Sequence, residues 1–249
     1  MTAVRRLTAL AAAVAVVACG AGSGDRTELT VLAAASLTEA FTELEHAYEA
    51  EHPGVDVSLT FDSSATLAEQ VVAGARADVL ATADRRTMTR VVHADLADGR
   101  PEVFTTNTLV IITPQDDPGD VDAVSDLESA DLTWSMCDPA APCGAAAQRL
   151  LDVSDVRAQP DSLEEDVKAV LTRVRLGEVD TGIVYRSDAR AAQDDVRTVD
   201  IPAADRVVNR YPITVVTGSE ESGAAHDWVD LVMSPDGQKM LVSKGFGTP

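Results

Sequence analysis

Polar and small residues recur in this sequence where an apolar, strand-like run gives way to a helix-like stretch. Ser36 follows the run of residues 29–35, and Ser64 follows a second apolar run. In the second half, Cys143 precedes one predicted helix and Val167 stands at the opening of another. Helix N-termini present unpaired backbone N–H groups and a partial positive charge. Several such ends that converge on one cleft can therefore bind an anion without any lysine or arginine.

These residues also have a simpler interpretation as local structure. In a capping box, a hydroxyl group bonds to its own helix, and the required spacing occurs three times: Ser36 with Glu39, Thr66 with Glu69, and Ser162 with Glu165. Tyr185 ends an apolar run and can equally be a packed aromatic residue with its hydroxyl at a rim. The residues taken singly leave both interpretations open.

Enzymatic motifs are missing from the sequence. No G-x-S-x-G elbow, H-E-x-x-H helix or P-loop is present, and none of the histidines stands in a recognisable nucleophile context. The histidines also lack metal-ligand spacing to Cys137 and Cys143. We therefore expect a binding protein with no cofactor and no metal held directly by side chains. An exported hydrolase is kept as a distant alternative.

The charge balance is strongly acidic. The formal net charge is −21, and residues 1–19 carry two arginines and no acid, so the chain without them has a net charge of −23. A nucleic-acid partner is therefore not expected. The same field disfavours long-range attraction of a small anion, so an anion site in this protein needs well-aimed donors at short range.

The N-terminus has the pattern of an export signal. Arg5 and Arg6 precede an apolar run over residues 7–18, which is too short to span a bilayer but suits a signal peptide. The run ends in V-V-A-C-G, which resembles the lipobox of bacterial lipoproteins and predicts lipid on Cys19. We expect residues 1–19 to be a lipoprotein signal peptide and residues 20–26 a flexible tether, with the protein anchored to the outer face of the cell membrane. The alternative is an ordinary cleaved signal peptide with an incidental cysteine.

Cys137 and Cys143 form an even pair in a chain that is expected to be exported. An oxidising compartment permits disulfides, so a bridge between the two cysteines is the natural interpretation. The bridge would close a very short loop, and its main effect would be local rigidity around residues 138–142.

Apolar runs alternate with amphipathic stretches from residue 29 onward, which is the pattern of an α/β protein. Strands are predicted at residues 29–35, 55–61, 77–82, 108–113, 132–137, 181–185 and 211–217, and helices include residues 163–175, 224–233 and 235–242. The strands at 108–113 and 211–217 are candidates for crossings between two lobes. The expected boundaries are residues 27–106 with 218–249 for a discontinuous lobe 1, and residues 107–217 for lobe 2.

Four segments carry a more specific pattern: V-L-A-A-A-S-L-T-E-A-F at residues 31–41, F-D-S-S-A-T-L at 61–67, G-A-R-A-D-V-L-A-T-A-D at 74–84, and G-I-V-Y-R-S-D at 182–188. Together they resemble the ModA family, the periplasmic molybdate-binding proteins of ABC transporters. Gly245 and Phe246 fit the closing pattern of that family, so the likeness covers nearly the whole mature chain. The resemblance implies a type II periplasmic-binding-protein fold, with two α/β lobes joined by crossing strands.

The resemblance also implies a set of ligands for molybdate or tungstate. Ser36 and Ser64 would offer hydroxyl and backbone N–H groups from lobe 1. The backbone N–H groups of Cys143 and Val167, with the phenol of Tyr185, would complete the shell from lobe 2. The family commonly has alanine at the position of Cys143, so only its backbone is expected to contact the anion.

These donors are all neutral and no acceptor is among them, which suits a fully deprotonated oxyanion. Sulfate or another oxyanion, bound by the same fold, is the close alternative. Glu165 and Asp166 beside Val167 would repel a dianion unless they point away from the cleft. We further expect a monomer that passes its ligand to an ABC transporter permease.

Overall fold

A computed structural model describes residues 26–249, which form two lobes, each built on a five-stranded sheet. In lobe 1 the strands are β1 (Thr27–Ala34), β2 (Val55–Asp62), β3 (Val79–Ala81), β4 (Glu102–Asn107) and β10 (Asn209–Val215), in the order β2-β1-β3-β10-β4. Its helices are α1 (Thr38–Glu51), α2 (Ser64–Val72), α3 (Arg85–His93), α7 (Ser222–Met233) and α8 (Pro235–Ser243). The predicted α/β class is confirmed, and so are the two helices of the tail.

Lobe 2 is built from one continuous stretch of chain. Its strands are β5 (Leu109–Pro114), β6 (Trp134–Cys137), β7 (Ser162–Glu164), β8 (Thr181–Tyr185) and β9 (Val196–Val199), in the order β7-β6-β8-β5-β9. Its helices are α4 (Pro142–Val153), α5 (Val167–Arg175) and α6 (Arg186–Ala191). None of the helices in residues 26–249 is long and apolar enough to cross a membrane.

The two lobes share one topology. In lobe 1, β1 pairs in parallel with β2 and β3, and β10 then runs antiparallel to β3. In lobe 2, β6 pairs in parallel with β7 and β8, and β5 runs antiparallel to β8. In sheets of this kind ligands bind beyond the carboxyl ends of the parallel strands. Each lobe therefore presents three strand ends of the same type.

The chain crosses between the lobes twice. It leaves lobe 1 at Thr108, between β4 and β5, and returns across residues 200–208, which include a 3-10 helix at Pro202–Arg206. The predicted strand at residues 108–113 is thus the first strand of lobe 2. The predicted boundary of lobe 2 at residue 217 is wrong, because β10 hydrogen-bonds to both β3 and β4 of lobe 1. A strand that is buried on both faces has a similar sequence pattern in either sheet, so the sequence does not indicate which lobe β10 joins.

A second difference concerns the predicted helix at residues 163–175. The structure begins this helix at Val167, and the preceding residues Ser162–Glu164 form strand β7, paired in parallel with β6. The strand was missed because it is three residues long and only partly buried, so it shows no apolar periodicity. Val167 is therefore the first residue of α5, where a backbone N–H has no partner within the helix.

An aromatic cluster fixes α1 on lobe 1. Trp228 of α7 is fully buried, and its ring lies 5.7 Å from that of Phe41 and 5.6 Å from that of Tyr48. Edge-to-face pairs at these distances stabilise a core beyond their buried area. Because Phe41 and Tyr48 belong to α1, the cluster holds the turn that carries Ser36 in a fixed position.

Candidate ligand-binding site

The five residues predicted to bind the ligand line one small cavity between the lobes, with a volume of about 20 Å³. The cavity is lined by Ser36, Ser64, Cys143, Val167 and Tyr185 together with Ala34, Ala35, Asp62, Ser63, Ala83, Pro142 and Asp166. Each of the five stands just beyond the carboxyl end of a parallel strand or at its last residue: β1, β2, β6, β7 and β8 in that order. The shared topology of the lobes therefore brings together residues that lie far apart in the sequence.

The hydroxyl groups of Ser36 and Ser64 do not cap their own helices. The residues at the N-caps of α1 and α2 are Leu37 and Ser63, and neither cap is closed by a side chain. Thr66 lies inside α2, and Ser162 belongs to a strand. The capping-box interpretation is therefore wrong at these positions, and both serine hydroxyls are available for other partners.

Ser64 is oriented by the backbone of its neighbour in space. The N–H of Ala83, just after β3, donates to the Oγ atom of Ser64 at 2.9 Å. Because the oxygen already accepts this bond, the hydroxyl proton of Ser64 can be directed at a ligand. Ala83 lines the same cavity, so the third parallel strand of lobe 1 also contributes to the site.

Tyr185 is oriented in the same way by Asn209, the first residue of β10. The Nδ2 atom of Asn209 lies 2.8 Å from the phenol oxygen of Tyr185 and 3.0 Å from the carbonyl oxygen of Ala83. A carbonyl oxygen can only accept, so the amide nitrogen must be the group that faces it. The same nitrogen then donates to Tyr185, whose own proton is left for the cavity. Burial raises the pKa of Tyr185 well above its ordinary value, which keeps the phenol protonated.

Ser36 has a comparable partner in Tyr211, which is fully buried in β10. The two oxygens lie 2.9 Å apart, and the amide of Asn107 lies 3.4 Å from the phenol oxygen of Tyr211. Burial raises the pKa of Tyr211, so this group also stays protonated. When Tyr211 donates to Ser36, the hydroxyl proton of Ser36 is free for a ligand.

The remaining donors are backbone groups at two helix N-termini. Asp166 is the N-cap of α5, and its carboxylate accepts from the N–H groups of Lys168 at 2.7 Å and Ala169 at 2.9 Å. Val167 thus keeps the first N–H of the helix without an intrahelical acceptor. The carboxylate of Asp166 bonds to its own helix, and Glu165 is exposed, so the repulsion expected from these two residues is reduced.

The predicted disulfide is confirmed. Cys137 at the end of β6 and Cys143 at the second position of α4 are bridged, with their Cα atoms 5.7 Å apart. The turn between them is tightly packed, because a Cβ atom on Gly144 would lie 2.1 Å from the carbonyl oxygen of Asp138. The bridge and this close approach together fix the N-terminus of α4, including the N–H of Cys143.

No lysine or arginine lines the cavity, and two acidic residues, Asp62 and Asp166, do. The carboxylate of Asp62 accepts from the N–H of Ser63 at 2.5 Å, as that of Asp166 accepts from α5. Within residues 26–249 no group of three or more His, Cys, Asp or Glu residues could hold a metal ion. The site can therefore act on an anion only through neutral hydrogen-bond donors.

Sequence reasoning missed the residues that stand behind the donors. Asn209, Tyr211 and Asn107 do not line the cavity. Asn209 contacts Tyr185, Tyr211 contacts Ser36, and Asn107 contacts Tyr211. Asn107 ends β4 and the other two lie in β10, so all three stand beside the crossings between the lobes. A polar residue next to a predicted crossing strand is the signal that could have identified them.

Two lobes of one topology, closed over a small cavity of neutral donors, define a solute-binding protein of the type II periplasmic class. Residues 29–247 match the model of the family described as bacterial extracellular solute-binding protein. The molybdate-binding protein ModA of Mycobacterium tuberculosis is 37% identical over 243 residues, which cover 94% of this chain and 93% of that protein. The chain therefore belongs to the bacterial extracellular solute-binding proteins and, within them, to the ModA family.

Solved structures show the same fold. The periplasmic molybdate-binding protein of Azotobacter vinelandii superposes with a TM-score of 0.78 at 18% identity, covering 89% of this chain and 99% of that one. The sulfate-binding protein SubI of Mycobacterium tuberculosis also gives a TM-score of 0.78, at 19% identity, covering 89% and 86%. Because the chain belongs to a family of extracellular solute-binding proteins, the alternative of an exported hydrolase is rejected.

Proposed function

We propose that this protein captures molybdate or tungstate in the interlobe cavity and delivers it to an ABC transporter permease. The observation that carries the proposal is the arrangement of the hydroxyl groups of Ser36, Ser64 and Tyr185 and the N-termini of α4 and α5 around one cavity that no lysine or arginine lines. The 37% identity to a protein named for molybdate binding supports the same ligand. No cofactor other than this ligand is proposed.

Discrimination among anions follows from the direction of the hydrogen bonds. Ser64 and Tyr185 each accept a bond from a fixed N–H group, so both turn their protons toward the ligand. A fully deprotonated oxyanion can accept from every donor. A protonated phosphate would bring a hydrogen that none of these donors accepts, and the carboxylates of Asp62 and Asp166 in the lining are already engaged by backbone N–H groups. The unmatched hydrogen would cost about 1 to 3 kcal/mol.

Sulfate remains the second candidate, because it is also a dianion without a proton and the sulfate-binding protein SubI has the same fold. The two anions differ in size, so the dimensions of the closed cavity must separate them. Isothermal titration calorimetry of ligand-stripped protein with molybdate, tungstate, sulfate and phosphate is the direct test. We expect tight binding of the first two; tight binding of sulfate without molybdate would reject the proposal.

Binding is coupled to closure of the cleft. Lobe 1 supplies Ser36 and Ser64, and lobe 2 supplies Cys143, Val167 and Tyr185. Neither lobe alone can surround a tetrahedral anion, so the donors meet only when the lobes close around it. The closed form then differs in shape from the open form, which is how a permease can distinguish loaded from empty protein.

We propose a monomer that is held at the outer face of the cell membrane by lipid on Cys19. Cys19 and residues 20–25 lie outside the residues that the structure describes, and the proposal depends on the V-V-A-C-G segment. The described fold begins at β1 with Thr27, so the proposed tether of residues 20–26 would end directly before the first strand. A short tether keeps the cleft near a permease in the same membrane.

A further inference from the structure

Lys168 makes an ion pair that joins the two lobes. Its Nζ atom lies 2.7 Å and 2.8 Å from the two carboxylate oxygens of Glu39. Lys168 stands on α5 in lobe 2, and Glu39 stands on α1 in lobe 1. No other ion pair in residues 26–249 joins lobe 1 to lobe 2. The contact between these two residues is therefore an ion pair between the lobes, in addition to the hydrogen bonds that the guanidinium groups of Arg86 and Arg190 donate to backbone carbonyl groups of the opposite lobe.

A third residue, Asp188 of α6, fixes the position of the lysine within lobe 2. The Nζ atom of Lys168 lies 3.1 Å from Oδ1 of Asp188, whose side chain is fully buried. No hydrogen bond from another group reaches the carboxylate of Asp188, so Lys168 is its polar partner. Burial opposes the charge of Lys168, but Asp188 and Glu39 outweigh it and raise the pKa of the lysine. Of these three charged residues, Lys168 and Asp188 belong to lobe 2 and Glu39 belongs to lobe 1.

The three charged residues Glu39, Lys168 and Asp188 lie close in sequence to the ligand-binding site. They follow three of the proposed ligand donors within one helical turn of chain: Lys168 follows Val167, Asp188 follows Tyr185, and Glu39 follows Ser36. Because each pair is linked by so short a segment, separation of the lobes that breaks the ion pair also separates the donors. The ion pair and the donor shell therefore form and break together.

We propose that Glu39 and Lys168 form a clasp that stabilises the closed form and controls how fast the bound anion is released. The proposal rests on the proposed function, since it concerns the same cavity. The ion pair exists only when the lobes are closed, so it lowers the free energy of the closed form alone. A ligand enclosed between the lobes leaves only after they open, and the dissociation rate therefore carries most of the effect.

The test measures association and dissociation rates of molybdate for the wild type, Glu39→Gln, Lys168→Met and the double variant. We expect each single variant to release molybdate roughly 3- to 30-fold faster, with a nearly unchanged association rate. The double variant should release it no faster than Lys168→Met, because both changes remove the same contact. If the double variant shows the sum of the two single effects on the dissociation rate, expressed as free energies, the clasp is rejected.

A matched control lies one turn further along α1. Glu43 forms an ion pair with Lys244 of α8, and both residues belong to lobe 1. Glu43→Gln removes a comparable charge from the same helix but no contact between lobes, so its dissociation rate should equal that of the wild type. Raising the salt concentration should narrow the difference between the wild type and Glu39→Gln, because Glu39 is partly exposed.

The outcomes for the clasp and for the proposed function are distinguishable. If the wild type binds molybdate and Glu39→Gln releases it at the wild-type rate, the clasp is rejected and the proposed function stands. If the wild type binds none of the oxyanions, the proposed function is rejected. The clasp is then tested by the radius of gyration of each variant, measured by small-angle X-ray scattering. A larger radius of gyration for Glu39→Gln than for Glu43→Gln supports the clasp, and identical values reject it.

Discussion

The side-chain amide of Asn209 lies 2.8 Å from the phenol oxygen of Tyr185 and fixes the direction in which this phenol can donate. Asn209 belongs to the sheet of lobe 1, whereas Tyr185 ends a strand of lobe 2. The hydrogen bond therefore spans the two lobes directly behind the cavity. It makes the orientation of a ligand donor in one lobe dependent on a residue of the other.

Asn209→Ala should weaken molybdate binding because Tyr185 loses the group that orients its proton. We expect a loss of about 1 to 2 kcal/mol in binding free energy, measured by calorimetry. Tyr185→Phe should cost about 1 to 3 kcal/mol, and the double variant little more than Tyr185→Phe alone. Tyr48→Phe is the control, since its hydroxyl bonds to Ala224 inside lobe 1. Equal affinity of Asn209→Ala and the wild type would contradict the orienting role.

Ser64→Ala should weaken binding by removing a hydroxyl that donates to a charged ligand. The expected loss is about 1 to 3 kcal/mol in binding free energy, which titration calorimetry resolves. Ser58→Ala, on the strand that precedes Ser64, is the control and should bind as the wild type does. Wild-type affinity in Ser64→Ala would show that this hydroxyl is not part of the ligand shell.

Replacing both Cys137 and Cys143 with serine should lower stability and affinity together. Loss of the short disulfide loop should reduce the free energy of unfolding by about 2 kcal/mol in denaturant titrations. Affinity should fall modestly, because the N–H of Cys143 is then fixed only by the packing around Gly144. If stability falls while affinity stays unchanged, packing alone is enough to hold that donor.

A pH dependence of stability is predicted at Asp188. Burial raises the pKa of Asp188 from 3.8 to about 6. Lys168 opposes this rise, and Glu39 and Asp166 add to it. Because the folded protein holds the proton to a higher pH than the unfolded chain, the stabilisation present below pH 3.8 is lost as the pH rises through 6.

Asp188→Asn should remove the loss of stability that accompanies ionisation of Asp188 as the pH rises. The free energy of unfolding of the variant, relative to the wild type, should increase by about 1 to 2 kcal/mol from pH 5 to pH 7.5. Denaturant titrations across this range are the measurement, and Asp195→Asn, at a half-exposed surface ion pair, is the control. A difference that does not change with pH would show that Asp188 titrates normally.

Cys19→Ala should release the protein from the membrane without a change in affinity. The expectation follows from the V-V-A-C-G segment, in which Cys19 is the residue that would carry the lipid. Fractionation of cells that process lipoproteins gives the location, and calorimetry of the released protein gives the affinity. A variant that stays in the membrane fraction would point to another anchor.

The sequence, through its resemblance to the ModA family, was sufficient to identify five residues that line the cavity but not the residues that orient them. Ser64 stands at a junction between a strand and a helix that local patterns predict, whereas the short strand β7 before Val167 has no such pattern. Asn209 and Tyr211 act through contacts with Tyr185 and Ser36 that depend on how β10 is placed in its sheet. No local pattern determines that placement, because every residue of β10 except Arg210 is buried and such a strand would suit the sheet of either lobe.

The ion pair across the lobes was beyond prediction for the same reason. Glu39 and Lys168 are 129 positions apart, and each is an ordinary charged residue on a helix. Only closure of one lobe upon the other brings them together. The interpretation of Ser36 and Glu39 as a capping box assigned to local structure a glutamate that contacts the opposite lobe.

The position of β10 has a consequence for how the protein matures. Strands β3 and β4 each pair with β10 and not with each other, so the sheet of lobe 1 stays split until residues 209–215 are in place. Lobe 2, in contrast, is one uninterrupted stretch of chain and can fold while the rest of the polypeptide is still being secreted. Asn209 and Tyr211 arrive with the same late strand. The cavity therefore cannot form before β10 is in place, and a polypeptide that is truncated before β10 would lack both residues that orient the ligand donors.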